Sequence, residues 1–330
     1  MSLSDWIKNK IGGEDERDAR KSLTSAPRFE GKWVVAGASE IGKSHKNANP
    51  PLPCQDSHAM KSLEGGWGIA ILCDGAGSAA LSDVGSEFTV NQAIGVFEGI
   101  IQKHNWIKKG ELPQAEAWQK LALNAFRTIR KRLELVAEAK EVNPKDYACT
   151  IIVVIYAPFG ILTSHIGDGR AGYRDGEGKW HPIMTPHNGE EANITIFLTS
   201  DYWLKGDFEM SGVTVPESRV ITAAPTGFTL MSDGCESHTF ETGYFDEENM
   251  RFIHKNTPSQ AFFETLRKQL LSVNAEGATE KDIQELWSKF VDRGNTKFAN
   301  ELDDKTLILG ILDERRETRQ ENRVSSRIFS

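Results

Sequence analysis

Cysteine is scarce in this chain. Four thiols, Cys54, Cys73, Cys149 and Cys235, are spread over 330 residues, and no two form a Cys-x-x-Cys pair. That spacing argues against a zinc cluster or a disulfide framework. It leaves reduced thiols packing as small hydrophobes. Long apolar runs are also missing. The longest, about Ala148 to Leu162, is too short to span a bilayer and contains Pro158. The opening Met-Ser-Leu-Ser-Asp-Trp-Ile-Lys has no apolar stretch of the secretory kind, so a cytoplasmic location is expected, with no membrane partner. Positive charge is short too: 39 Lys and Arg face 47 Asp and Glu, for a net charge of −8. A nucleic-acid binder usually carries a basic face, so nucleic acid is not an expected partner.

What is present is acid at the ends of apolar runs. Asp74, Asp168 and Asp233 each follow a strand-like segment and are each followed at once by glycine. Asp56 stands in Pro53-Cys-Gln-Asp, and Asp303 in Leu302-Asp-Asp-Lys-Thr306. Taken singly, an Asp-Gly pair is a turn signal, and Asp303-Asp304 reads as a solvated acidic pair. Recurrence gives the set another meaning. Carboxylates on rigid strand ends can point into one cleft, where like charges disfavour joint ionisation. A hard divalent cation relieves that repulsion and prefers oxygen ligands. The pattern therefore predicts a metal site assembled from distant parts of the chain.

The 39% hydrophobic content suffices for a substantial core. Residues 1–30 read as a charged arm and 314–330 as a charged mobile tail, around one domain over 31–313. Strands are expected at Trp33–Ser39, Trp67–Cys73, Cys149–Ala157, Gly160–Ile166, Ala171–Arg174, Lys179–Met184, Ile194–Thr199, Arg219–Thr222, Gly227–Met231 and Lys305–Leu312. Pro158-Phe159 and Asp175-Gly-Glu-Gly178 mark hairpin turns. Helical spacing marks Val84–His104, Pro113–Lys140, Pro258–Val273 and Thr279–Phe290. Residues 42–53 are expected to be loop, and 200–218 an irregular excursion. Two long helices in succession between strands indicate an α+β fold rather than a doubly wound sheet.

The series Pro53-Cys-Gln-Asp-Ser57, Ala70-Ile-Leu-Cys-Asp-Gly-Ala-Gly77, His165-Ile-Gly-Asp-Gly-Arg170, Leu230-Met-Ser-Asp-Gly234 and Leu302-Asp-Asp-Lys-Thr306 resembles the PP2C-type metal-dependent serine/threonine protein phosphatases, closest to their bacterial branch. The five motifs stand in the family's order and cover roughly residues 33–312. The resemblance implies an antiparallel β-sandwich with a helix pair on each outer face. It also implies hydrolysis of phosphoserine and phosphothreonine in proteins by water activated between two Mn²⁺ or Mg²⁺ ions. Asp74 would bridge the ions, and the Gly75 carbonyl would be a further ligand. Asp233 and Asp303 would hold one ion, Asp56 would act through water on the other, and Asp168 matches the site of a third, weaker ion. Gln55, Ser232, Thr306 and Arg170 would support them, Arg170 by orienting Asp168. Partners would be phosphorylated proteins and a cognate Ser/Thr kinase.

Three positions depart from the family. Gln55 replaces a common glutamate, and Ala76 stands where many members have a proton-donating histidine. Pro51 stands where many have a phosphate-gripping arginine. Lys43, His45 and Lys46 lie just upstream as substitutes. His45 is the candidate phosphate anchor or proton donor, and is otherwise an exposed loop histidine. His187 reads first as a loop residue. The departures leave two rivals to an active protein phosphatase: a pseudophosphatase that binds phosphoproteins but turns over poorly, and a phosphoesterase acting on a small molecule.

Overall fold

The computed structural model describes residues 32–187, 195–247 and 250–313. The charged arm and tail expected from the sequence, and Ile194, lie outside them.

The strands, in chain order, are β1 (Lys32–Glu40), β2 (Ser57–Ser62), β3 (Gly68–Cys73), β4 (Ile151–Ala157), β5 (Gly160–Ile166), β6 (Arg170–Arg174), β7 (Trp180–Pro182), β8 (Glu209–Met210), β9 (Val213–Thr214), β10 (Glu217–Ile221), β11 (Gly227–Met231), β12 (Phe240–Asp246), β13 (Arg251–Pro258) and β14 (Lys305–Asp313). Two five-stranded sheets run β1-β14-β11-β6-β7 and β10-β5-β4-β3-β2. The pairings within both are antiparallel. The first and last described strands are therefore neighbours, with Trp33 opposite Leu312 and Ser39 opposite Thr306.

Alternation along the strands builds the layers, because successive side chains point to opposite faces. In β3, Ala70 and Leu72 turn inward to a core shared with Ile152, Val154, Phe228, Leu230 and Ile308. Trp33, Tyr156 and Phe228 lock this core, with ring centroids 5.0–5.4 Å apart. Such aromatic pairs add about 0.5–1.5 kcal/mol each beyond their buried area. The other face of β3, Ile69 and Ile71, meets Phe97 of helix α2 (Ser82–His104) and Trp118 and Phe126 of α3 (Ala115–Ala139). On the opposite side, Leu307, Leu309 and Ile311 of β14 meet Phe263 and Leu270 of α4 (Gln260–Ala275) and Trp287 of α5 (Glu280–Arg293). Each outer layer is pinned by one indole. Trp118 Nε1 donates to the Thr163 carbonyl at 2.7 Å, and Trp287 Nε1 donates to the Leu307 carbonyl at 2.8 Å. The result is a four-layer α-β-β-α sandwich, the fold class expected.

Several local expectations differ. Residues 42–53 include a short helix, Lys43–Asn47, because its backbone N–H groups are taken by the loop ahead of β14. Lys43 N donates to the Glu301 carbonyl at 2.9 Å and Ser44 N to that of Leu302 at 3.0 Å. Residues 195–199 form no ladder strand: only Thr195 makes a bridge. Leu198 N instead donates to the Cys149 carbonyl at 2.9 Å. The polar β2 and the β12–β13 hairpin were not anticipated, since neither carries an apolar run.

Candidate metal centre

The five aspartates converge. Asp74, just after β3, is half-buried, and desolvation drives its carboxyl well above the ordinary range. The charges of Asp56, Asp233, Asp168 and Asp303 then push in the same direction, so all four act on it. Asp233, just after β11, is pushed up to about 7, first by burial and next by Asp168 and Asp303, while a hydrogen bond with Asp74 pulls the other way. Asp56, ahead of β2, is 4% exposed and is pushed up to about 8, mainly by burial. Asp168 and Asp303 are raised by burial as well.

The surrounding chain fixes these groups. Thr150 clamps the Asp74 backbone: its N–H donates to the Asp74 carbonyl at 2.8 Å, and its hydroxyl accepts from Asp74 N at 3.1 Å. Asp56 Oδ2 accepts from Ser232 Oγ at 2.7 Å and Thr306 Oγ1 at 2.8 Å. Gly75 N donates to the Gln55 carbonyl at 3.1 Å. A Cβ at Gly75 would stand 2.6 Å from that carbonyl oxygen, and one at Gly234 would stand 2.0 Å from the Asp304 carbonyl oxygen. The glycines after Asp74 and Asp233 are thus required by close backbone approach.

The donor set is entirely oxygen, and the cationic side chains nearby are committed elsewhere. Arg170 Nη2 donates to Glu236 at 2.7 Å, so Arg170 does not hold Asp168 by a hydrogen bond. Thr195 does so instead, its hydroxyl donating to Asp168 Oδ2 at 2.7 Å. Lys43 reaches Asn300 at 3.3 Å and Lys46 reaches Asp292 at 2.8 Å, so these lysines do not replace the absent arginine. Gln55 contributes its backbone: besides its carbonyl on Gly75, its N–H donates to Asp304 Oδ2 at 2.5 Å. A set of carboxylates to which no lysine or arginine is hydrogen-bonded among the described residues fits divalent cations that prefer hard oxygen ligands.

Two residues passed over in the sequence stand out. Asp304, 2% exposed, is no solvated partner of Asp303. It accepts from Gly42 N at 2.7 Å as well as from Gln55 N and the ring of His45. Thr195 carried no motif signal at all. His187 does lie in irregular chain after β7, and it is fully buried there. It stacks on His165, with centroids 4.1 Å apart and planes 12° from parallel.

His165, His187 and Glu217 bring ligand-type atoms within 4.8 Å of one another, but their rings are poorly placed to share an ion. Imidazole lone pairs lie in the ring planes, so two nearly parallel stacked rings do not aim at one ion. Most of the polar atoms are engaged, although His187 Nε2 has no hydrogen-bond partner among the described residues. His165 Nε2 donates to the Thr185 carbonyl at 2.9 Å, Glu217 accepts from Thr185 N at 2.6 Å, and His187 Nδ1 accepts from Gly167 N at 3.2 Å. Burial keeps both rings neutral, with His187 lowered to about 4. The trio buttresses the turn that carries Asp168.

The cysteines are free, and three are fully buried. Burial, with Asp56 and Asp304 beside it, drives the Cys54 thiol far up, the opposite of what a nucleophile needs. No described helix is long and apolar enough to cross a membrane.

The chain is 36% identical over 176 residues to the serine/threonine-protein phosphatase 3 of Escherichia coli (strain K12), a match covering 51% of this chain and 64% of that protein. It thus spans just under two thirds of that curated relative. A bacterial serine phosphatase structure aligns with a TM-score of 0.51 at 15% identity, over 84% of this chain and 97% of that one. The serine/threonine phosphatase Stp1 of Staphylococcus aureus aligns with a TM-score of 0.51 at 13% identity, over 84% and 94%. At such identities the likeness is one of fold. A family model described as Protein phosphatase 2C matches residues 41–286, and with that match this chain belongs to the protein phosphatase 2C family, whose members in general depend on magnesium or manganese.

Proposed function

We propose that this protein hydrolyses phosphoserine and phosphothreonine esters of proteins in a metal-dependent reaction. The observation that carries this reading is the gathering of Asp56, Asp74, Asp168, Asp233 and Asp303, from the buried Asp56 out to the exposed Asp233 and Asp303, with every carboxyl raised and no lysine or arginine hydrogen-bonded to it among the described residues. In this reading Asp74 and the Gly75 carbonyl serve two Mn²⁺ or Mg²⁺ ions, Asp233 and Asp303 serve one, Asp56 serves the other, and Asp168 serves a third. When bound, the ions supply an acidified water and neutralise charge on the phosphoryl oxygens.

The chain's own residues then position. Ser232 and Thr306 hold one oxygen of Asp56 by donating to it, which fixes the carboxylate and leaves its other oxygen to a ligand. Thr195 does the same for Asp168. The Thr150 clamp on Asp74 fixes the carboxylate that all the others surround. Preorganised oxygens of this kind need no rearrangement as charge develops.

Phosphate release from a phosphothreonine peptide, followed while Mn²⁺ or Mg²⁺ is titrated, tests the reading. Activity should appear with metal and vanish on addition of EDTA. Turnover that survives chelation would remove the basis of the assignment.

A further inference from the structure

We infer that His45 is the group that protonates the departing serine or threonine oxygen, and that Asp304 is its positioning residue. The inference rests on the phosphatase reading and adds to it. Ala76 occupies the position after Asp74-Gly75, so that position offers no titratable group. His45 comes from a different element, the short helix Lys43–Asn47. That helix is fastened to the same loop that carries Asp303. Lys43 N and Ser44 N donate to the Glu301 and Leu302 carbonyls, and the Ser44 hydroxyl also donates to Leu302. The helix and one candidate ligand therefore move as a unit, and the charge of His45 acts on Asp303.

Asp304 sets the ring. Its Oδ2 accepts from His45 Nδ1 at 3.0 Å and from Gln55 N at 2.5 Å, while Oδ1 accepts from Gly42 N at 2.7 Å. Three donors on a carboxylate that is 2% exposed leave it little freedom. With Nδ1–H committed to Asp304, Nε2 is the nitrogen left to donate, and it has no hydrogen-bond partner among the described residues. The His45 side chain keeps 14% of its surface exposed, so the ring is open on one side. A carboxylate on Nδ1 with Nε2 left unbonded is the arrangement by which an acid orients a histidine without itself taking the proton.

The step balances. Water adds its oxygen to phosphorus and keeps one proton there. The phosphorus–oxygen bond to the serine or threonine breaks, and its electron pair stays on the leaving oxygen, which takes the proton from His45 Nε2. The second proton of the water restores the imidazolium through solvent. Asp304 remains a carboxylate throughout.

The test uses the full chain with saturating Mn²⁺ and two substrates. One is a phosphothreonine peptide, whose alkoxide leaves poorly without a proton. The other is p-nitrophenyl phosphate, whose phenolate leaves unaided. His45→Ala should lower kcat on the peptide by about a hundredfold or more, with KM little changed and p-nitrophenyl phosphate turnover largely kept. Asp304→Asn, which retains an acceptor for Gly42, should show the same split. The double variant should be no worse than the poorer single one, since the two residues act as a unit. Equal losses on both substrates, no loss on either, or a rise in KM at constant kcat would overturn the assignment, the last marking a phosphate anchor. These outcomes leave the phosphatase reading standing. Absence of metal-dependent turnover by the unaltered protein on both substrates overturns both.

Discussion

Two clusters of ionisable groups meet at the Gly167–Asp168 turn, one buried and one reaching the surface, and they are built on opposite principles. On one side His165, His187 and Glu217 are polar and buried, mostly bonded to the backbone around them, with rings stacked and neutral. On the other side five aspartates crowd together, and four of them raise the pKa of the fifth. Burial alone therefore does not mark a site. The first cluster holds itself together, whereas the second is stable as anions only if positive charge arrives from outside. Metal-ligand type and proximity single out the first cluster, whereas the proposed function places the ions at the second. Ring orientation and the fate of each polar atom distinguish them.

The largest expected effect separates the clusters directly. Asp74→Asn should lower metal-dependent kcat/KM by about a thousandfold, equivalent to several kcal/mol of barrier, while His187→Gln should leave most activity intact in the protein that folds. Steady-state kinetics on a phosphothreonine peptide decide this, and comparable losses in both would erase the distinction.

Stability against pH gives the next contrast. In the metal-free protein Asp56 and Asp233 keep protons up to about 8 and about 7, whereas carboxyls of the unfolded chain lose theirs near 4. The folded state then binds more protons, so stability declines as pH rises through that window. His187, lowered to about 4, acts with the opposite sign: the unfolded chain takes up protons first, so stability is lost as pH falls below about 6.5. Between pH 6.5 and 8 only the acidic cluster contributes. Raising pH across that interval in EDTA should lower Tm by a few degrees, on the order of 1–2 kcal/mol. Saturating Mn²⁺ should abolish the decline. A flat profile in EDTA would mean that the carboxylates do not crowd one another.

The smallest effect concerns the groups behind the ligands. Ser232→Ala removes one of two hydroxyls on Asp56. Partners of this kind cost roughly 10–100-fold in metal affinity or activity when lost. The Mn²⁺ concentration for half-maximal activity should rise by about tenfold, with kcat at saturating metal retained. An unchanged requirement would separate Asp56 from the ions.

Much of this was legible in the chain. The apolar runs of β3, β4 and β5 are buried along their whole length, so composition alone announces them. The Asp-Gly turns that follow carry a second local signal, and the close approaches at Gly75 and Gly234 explain it. Other features left no such trace. β2, Ser-His-Ala-Met-Lys-Ser, is only partly buried and lacks a clear alternation. The helix Lys43–Asn47 exists because a loop more than 250 residues away accepts its N–H groups. Asp304 looked like the solvated companion of Asp303, because nothing in Asp-Asp-Lys-Thr shows which carboxylate turns inward.

By itself, the order of residues determined where strands end in acid, which turns need glycine, and that the thiols are too few to carry the chemistry. Those are local matters of alternation, side-chain volume and backbone sterics. Only the tertiary structure decided which carboxylates meet, that Thr195 rather than Arg170 holds Asp168, and that Asp304 grips His45. The last depends on β1 pairing with β14 across most of the chain, which brings the segment after β1 to the loop ahead of β14. Electrostatic and hydrogen-bond energies fall off over a few ångströms of space, whatever the separation in sequence.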